Sequence, residues 1–204
     1  MAESLASEWK RFVEAMEVRD DSNPLSLAPD KRMPFSRLAL VAQLEEVREE
    51  WASLRRRIQE ETGARFVNSS WTLKDLLAHL ASWAREFRKE IEIVARRGRF
   101  DYAIPFAMGV LGPNEWNQAE VEARRERSLV AIFDEFDEET VGVINRVIEM
   151  DDAALYGTHA FPLAPSGDPS APFRGPSAFI VFGKCLHDLH HIGQIKSRLP
   201  RLKG

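Results

Sequence analysis

Cysteine is nearly absent from this chain, long apolar runs are missing and basic charge is in deficit, and each shortage removes a class of function. The single cysteine, Cys185, excludes an intramolecular disulfide and a cysteine-rich zinc site. Its expected role is that of a small buried apolar side chain, with a reactive thiol as the alternative. No apolar run approaches the roughly 18 residues that a membrane-spanning helix requires. The opening Met1-Ala2-Glu3-Ser4 lacks a basic segment followed by an apolar one, so no secretory signal is expected and the expected compartment is the cytoplasm. A net charge of −4 and a pI near 5.8 argue against nucleic acid as a partner, because such binders display a basic face. The basic runs Arg55-Arg56-Arg57, Arg96-Arg97-Gly98-Arg99 and Arg124-Arg125 alternate with glutamates at helical spacing and are expected on solvated helix faces, as is the acidic run Asp134 to Glu139. Neither strand-like alternation of useful length nor an internal repeat is present.

What remains is helical periodicity. The 204 residues, 44% of them hydrophobic, suffice for one good-sized core. Leu5, Trp9, Phe12, Val13 and Met16 predict a short amphipathic helix over 4–18, followed by a linker to Pro34 with three prolines. Leu40, Leu44, Val47, Trp51, Leu54 and Ile58 form one stripe and predict a helix over 36–62, stopped by Gly63. After a connection at Phe66 to Ser70, Thr72 and Asp75 form a carboxylate variant of the capping box. They open a second long helix that runs to about Gly98. An apolar loop over 100–113 is expected to pack over the site or a partner subunit. A third helix starts at Asn114 and is expected to be interrupted at the acidic run. Asp151 to Pro176 reads as loop, and the last helix is expected from about Pro176 to just before Pro200. The prediction is an all-α fold, a four-helix bundle over 35–204 preceded by a helix and linker over 1–34.

Three of the five histidines lie in His187-Asp188-Leu189-His190-His191-Ile192-Gly193-Gln194. On a helix His187 and His191 lie about 40° apart, one turn from each other, so both can reach one cation. Two imidazoles do not complete a transition-metal site, and a third must come from elsewhere. His79, on the apolar stripe of the second helix between Leu76 and Trp83, can supply it, giving a facial three-histidine set with open positions. His190 is about 60° from His187, so spacing alone does not choose between His190 and His191. Gln194 lies about 20° from His187 and can orient a ligand or bound water; Asp188, about 100° away, ranks below it. His159, in the Leu155-to-His159 turn, and His190 are the candidates for a fourth ligand closing the site.

Trp71-Thr72-Leu73-Lys74-Asp75-Leu76-Leu77-Ala78-His79-Leu80, followed about a hundred residues later by His187 to Ile195, resembles the DinB/YfiT-like superfamily. That group includes mycothiol-dependent maleylpyruvate isomerases and bacillithiol transferases. The resemblance spans about Ser36 to Leu199. Trp116-Asn117 also resembles the start of the third helix in relatives of the colibactin-resistance proteins. The resemblance implies a DinB-like four-helix bundle holding a divalent metal through His79, His187 and His191, with His190 outward or behind the ligands.

Carried further, it implies a metal-dependent enzyme that activates a low-molecular-weight thiol (an S-transferase) or water (a hydrolase), zinc or nickel being the expected ion. Trp116 and Asn117 are candidates for the substrate side, and no catalytic residue is assigned. The alternatives are a bundle in which a metal only ties helices together, and a binding protein for a small hydrophobic ligand. A homodimer is expected, with a small-molecule substrate or thiol and neither nucleic acid nor membrane as partner.

Overall fold

A computed structural model describes residues 36–65, 71–97, 113–161 and 173–202. The N-terminal helix, the linker, the connection at 66–70 and nearly all of the apolar loop lie outside these residues. Four long helices carry the fold: α1 (Arg37–Arg55), α3 (Leu73–Arg97), α5 (Leu129–Glu149) and α7 (Ser177–Leu202). Short helices α2 (Glu60–Gly63), α4 (Pro113–Glu122) and α6 (Asp152–Tyr156) join them. Both α1 and α3 pack against α5 and α7, so α1 lies diagonally opposite α3, and α5 opposite α7. No helix among the described residues is long and apolar enough to cross a membrane.

Helix α1 forms because Leu40, Leu44, Val47, Trp51 and Leu54 share one buried face and the Ser36 hydroxyl accepts from the Ala39 N–H at 3.2 Å. Trp51 is its anchor. The ring stacks on Phe136 at 4.0 Å and its indole donates to the Phe133 carbonyl at 3.1 Å, so its polar edge is satisfied inside the core. The helix ends at Arg55 rather than near Thr62: the Leu54 carbonyl accepts from both Arg57 and Ile58, and this tight turn redirects the chain while keeping Ile58 buried.

The capping box on α3 forms reciprocally. The Asp75 N–H donates to the Thr72 hydroxyl at 3.1 Å, and the Thr72 N–H donates to the Asp75 carboxylate at 2.8 Å. Thr72→Ala removes one of these bonds and is expected to cost about 1 kcal/mol in urea unfolding, leaving the second intact.

The interruption of the third helical segment lies elsewhere than expected. Helix α4 stops at Glu122, a turn follows through Arg127, and Ser128 caps α5, its hydroxyl accepting from the Ala131 N–H at 3.1 Å. Helix α5 then runs unbroken through the acidic stretch, which is not mere solvated surface. Asp134 pairs with Arg55, Asp137 with Arg48, Glu139 with Arg88, and Glu135 with both Arg124 and Arg127. Arg124 is likewise no solvated residue: its side chain is 3% exposed and held by Glu120 and Glu135. Gly142 keeps α5 flat where Arg88 crosses, since a Cβ there would meet the guanidinium at 2.5 Å.

The expected loop after α5 also contains structure. Thr158–Phe161 (β1) and Phe173–Pro176 (β2) form a two-stranded antiparallel ribbon, with Thr158 opposite Pro176 and Phe161 opposite Phe173. Strands of four residues are too short to show alternation in sequence. The Ser177 hydroxyl donates to the Ala154 carbonyl at 2.7 Å and ties the start of α7 to α6. Helix α7 continues through Pro200 to Leu202. Proline disfavours helical geometry at the residue before it, but Leu199 is fully buried and its packing outweighs that preference.

Candidate metal centre

The site lies between two adjacent bundle helices. Helix α3 contributes His79 from its buried face, and α7 contributes His187 and His191, one turn apart. Ligating nitrogens from the three rings lie within 4.8 Å of one another. Ring centroids are 5.3 Å apart for His79 and His187, 5.2 Å for His79 and His191, and 4.7 Å for His187 and His191. His190, which spacing left as an alternative, is exposed and outside the cluster; its Nε2 meets the Gln194 amide at 2.8 Å. The backbone of His159 is paired with Gly175 in β1 rather than lying in a loop, and its side chain is outside the described set.

Hydrogen bonds behind two of the rings orient them. Asp188 Oδ1 accepts from His187 Nδ1 at 3.0 Å, and Gln194 Oε1 accepts from His191 Nδ1 at 3.1 Å. An Nδ1–H bonded in this way leaves Nε2 with its lone pair for the site. Gln194 is therefore placed behind His191 rather than beyond the ligands. Asp188, ranked lower from its wheel angle, folds back onto the ring of the preceding residue.

His79 is 5% exposed, and its Nδ1 is buried with no hydrogen-bond partner. A buried polar atom left in that state costs about 1–3 kcal/mol unless something else occupies it. Burial, reinforced by the positive charge that His187 and His191 can carry, pushes the His79 pKa down to about 3. Burial and His187 lower His191 to about 4. Both rings are therefore neutral over the physiological range, the form that ligates metal. The residues present fit a divalent cation: three nitrogen donors, two of them on rings that burial holds neutral, and one orphaned nitrogen among them.

Aromatic side chains wall the site. Trp71 lies 5.2 Å from the His79 ring, Trp83 lies 5.9 Å from His187, and Trp116 packs on Trp83 at 4.8 Å. Trp116 is 3% exposed, and Asn117 accepts from the Trp83 indole at 2.9 Å. Trp116 thus reaches the centre through Trp83, whereas the Asn117 side chain also interacts with His79 directly. Cys185 faces the core, where burial pushes its thiol up to about 12, so it remains a neutral packing residue.

Lys184 and Thr140 have no role among the sequence-based expectations, yet both stand behind the site through Asp188. Lys184 and Asp188 are each fully buried and form an ion pair, and Lys184 Nζ also donates to Thr140 Oγ1 at 3.3 Å. The one signal in the sequence is the four-residue spacing of Lys184 and Asp188, which on a helix brings opposite charges together.

The model of the mycothiol maleylpyruvate isomerase N-terminal domain matches residues 44–174, a segment that includes His79 and ends before His187. No curated protein sequence matches significantly. Among solved structures, the mycothiol-dependent maleylpyruvate isomerase superposes with a TM-score of 0.61 at 11% identity over 78% of this chain. This chain spans only 60% of that protein. YfiT from Bacillus subtilis, described as a probable metal-dependent hydrolase with an unusual four-helix bundle topology, superposes with a TM-score of 0.58 at 11% identity. That likeness covers 91% of this chain and 95% of YfiT. At such identities the superpositions establish a common fold. With more than half its length matched by the family model, the chain belongs to the mycothiol maleylpyruvate isomerase N-terminal domain family, within the DinB/YfiT-like superfamily.

Proposed function

We propose that the chain binds one divalent cation through His79, His187 and His191 and uses it to activate a nucleophile, foremost a low-molecular-weight thiol in an S-transfer reaction. The observation that carries this reading is the convergence of three imidazole nitrogens within 4.8 Å. A cation held there supplies Lewis acidity, which makes a thiol or water nucleophilic near neutral pH. Imidazole donors suit zinc and nickel, among others. Asp188 and Gln194 hold two ligand rings in one tautomer, and the tryptophan wall limits water on its side of the centre.

A thiol is favoured by membership in a family described by its mycothiol-dependent isomerases. Water is the second reading, supported by the likeness to YfiT along nearly its whole length. A metal that merely ties helices together calls for a fourth protein ligand. Among the described residues, no further histidine, cysteine or carboxylate joins the three, and this supports a position open to substrate.

Elemental analysis of purified wild type beside His187→Ala tests the site. We expect about one equivalent of metal in the wild type and almost none in the variant, with metal raising the melting temperature of the wild type alone. Absence of thiol-dependent electrophile consumption by the loaded protein, with ester or amide cleavage observed, would favour water over thiol. A wild type that takes up no metal after reconstitution would end the metal reading.

A further inference from the structure

We infer that Lys184 and Asp188, backed by Thr140, form a positioning chain that fixes His187 as a metal ligand; the inference rests on the metal-binding reading above. Lys184 and Asp188 are 0% exposed, and the ammonium lies against Asp188 Oδ2. Lys184 also donates to Thr140 and sits 5.0 Å from the centroid of the Phe136 ring, both on α5. A buried ion pair is an expensive way to fill a core, because desolvating two charges costs several kcal/mol per ion and an apolar pair of similar volume is often as stable. The informative feature is that this pair is not closed on itself. Lysine takes one carboxylate oxygen, and the other, Oδ1, accepts from His187 Nδ1 at 3.0 Å.

Two consequences follow for His187. The carboxylate accepts only from an Nδ1–H tautomer, which turns the Nε2 lone pair toward the cluster. Lysine offsets the carboxylate's charge, so the hydrogen bond to His187 brings no net negative charge beside the ligands and a bound cation keeps its polarising power. Lys184 touches no ligand itself; it acts through Asp188. The competing account is that the pair only pins α7 to α5 through Thr140 and Phe136.

Zinc affinity distinguishes the two, measured by competition with a chromophoric chelator on the full chain. Wild type, Lys184→Met, Asp188→Asn and the double variant are compared, with metal-free melting alongside. We expect Asp188→Asn to weaken zinc by about 10–100-fold and Lys184→Met by about tenfold, the range seen when the partner of a ligating histidine is changed. The double variant should bind no more weakly than Asp188→Asn, since both changes act through one bond. It also replaces the charges with neutral groups of similar size and so keeps the bundle folded even if a single variant does not. Zinc affinities within twofold of wild type in the folded variants, whatever their melting temperatures, would show a purely structural pair and overturn the inference. Losses that simply add in the double variant would overturn it too. Failure of the wild type to bind zinc would instead bring down the metal reading, and the wild-type arm alone reveals it.

Discussion

Replacing His79 by leucine is expected to abolish tight metal binding and, in the metal-free protein, to raise stability. His79 is 5% exposed on the same helix face as Leu76 and Trp83, and its Nδ1 has no hydrogen-bond partner. Leucine is close in size and carries no polar atom, so it removes an unsatisfied group worth about 1–3 kcal/mol. The ligand, in contrast, cannot be replaced. If about 10–16 kcal/mol of structural zinc binding is shared among four donors, one donor is worth roughly 3 kcal/mol, or on the order of 100-fold in affinity. The opposite signs are diagnostic, because a histidine retained only for packing gives no reason for its loss to help one form and harm the other. Urea unfolding of wild type and His79→Leu, with and without zinc, supplies the four values. A variant less stable than wild type without metal, and equally stabilised by zinc, would make His79 an ordinary core residue.

The elements that were legible in sequence are those whose cause is local. The α1 stripe from Leu40 to Leu54, the Thr72–Asp75 box and the one-turn spacing of His187 and His191 depend on residues within a few positions of one another. His79 needed more, since a histidine among leucines looks the same whether or not two others stand across from it; the separate helix bearing His187 and His191 made it the candidate third ligand, and resemblance to a family then assigned it. What was not legible arises between elements. Arg124 and the acidic run read as surface because each is charged, and only the turn that follows α4 and the approach of α1 and α3 to α5 turn them into pairs. The turn at residues 123–127 has neither proline nor glycine to announce it. Pro200 is the converse, a local breaker overridden by the burial of Leu199. Lys184 sat within an apolar stretch and gained its meaning from Thr140 and Phe136, about forty residues earlier on α5.

Metal-free protein is expected to lose stability steeply once the pH falls below about 6.5. Burial first, and then the charge of the neighbouring imidazoles, lowers His79 from 6.5 to about 3, and burial with His187 lowers His191 from 6.5 to about 4. Because the folded values lie under the unfolded ones, the unfolded chain takes up more protons in between. Stability is therefore full above about 6.5 and is lost as the pH falls toward 4 and then 3. Each ring contributes at most about 1.4 kcal/mol per pH unit and half that at the unfolded pKa itself, so a fall from 6.5 to 5 costs roughly 3 kcal/mol for the two together. That is a large share of the 5–15 kcal/mol typical of a domain. Glu135 acts in a lower window: burial opposes its ionisation, but Arg124 and Arg127 hold its carboxyl below 4.5, so its contribution is present above 4.5 and lost only below it. The two windows separate the causes. Urea midpoints of metal-free wild type and His79→Leu at pH 7, 6 and 5 should show about half the pH slope in the variant, with the slopes converging where carboxylates titrate. Equal slopes from pH 7 to 5 would place the proton uptake outside the cluster. The link to function is direct, because a ring that burial keeps neutral is one whose lone pair remains available, and the same dehydrated face of α3 that makes the metal-free protein acid-sensitive also prepares it for a cation.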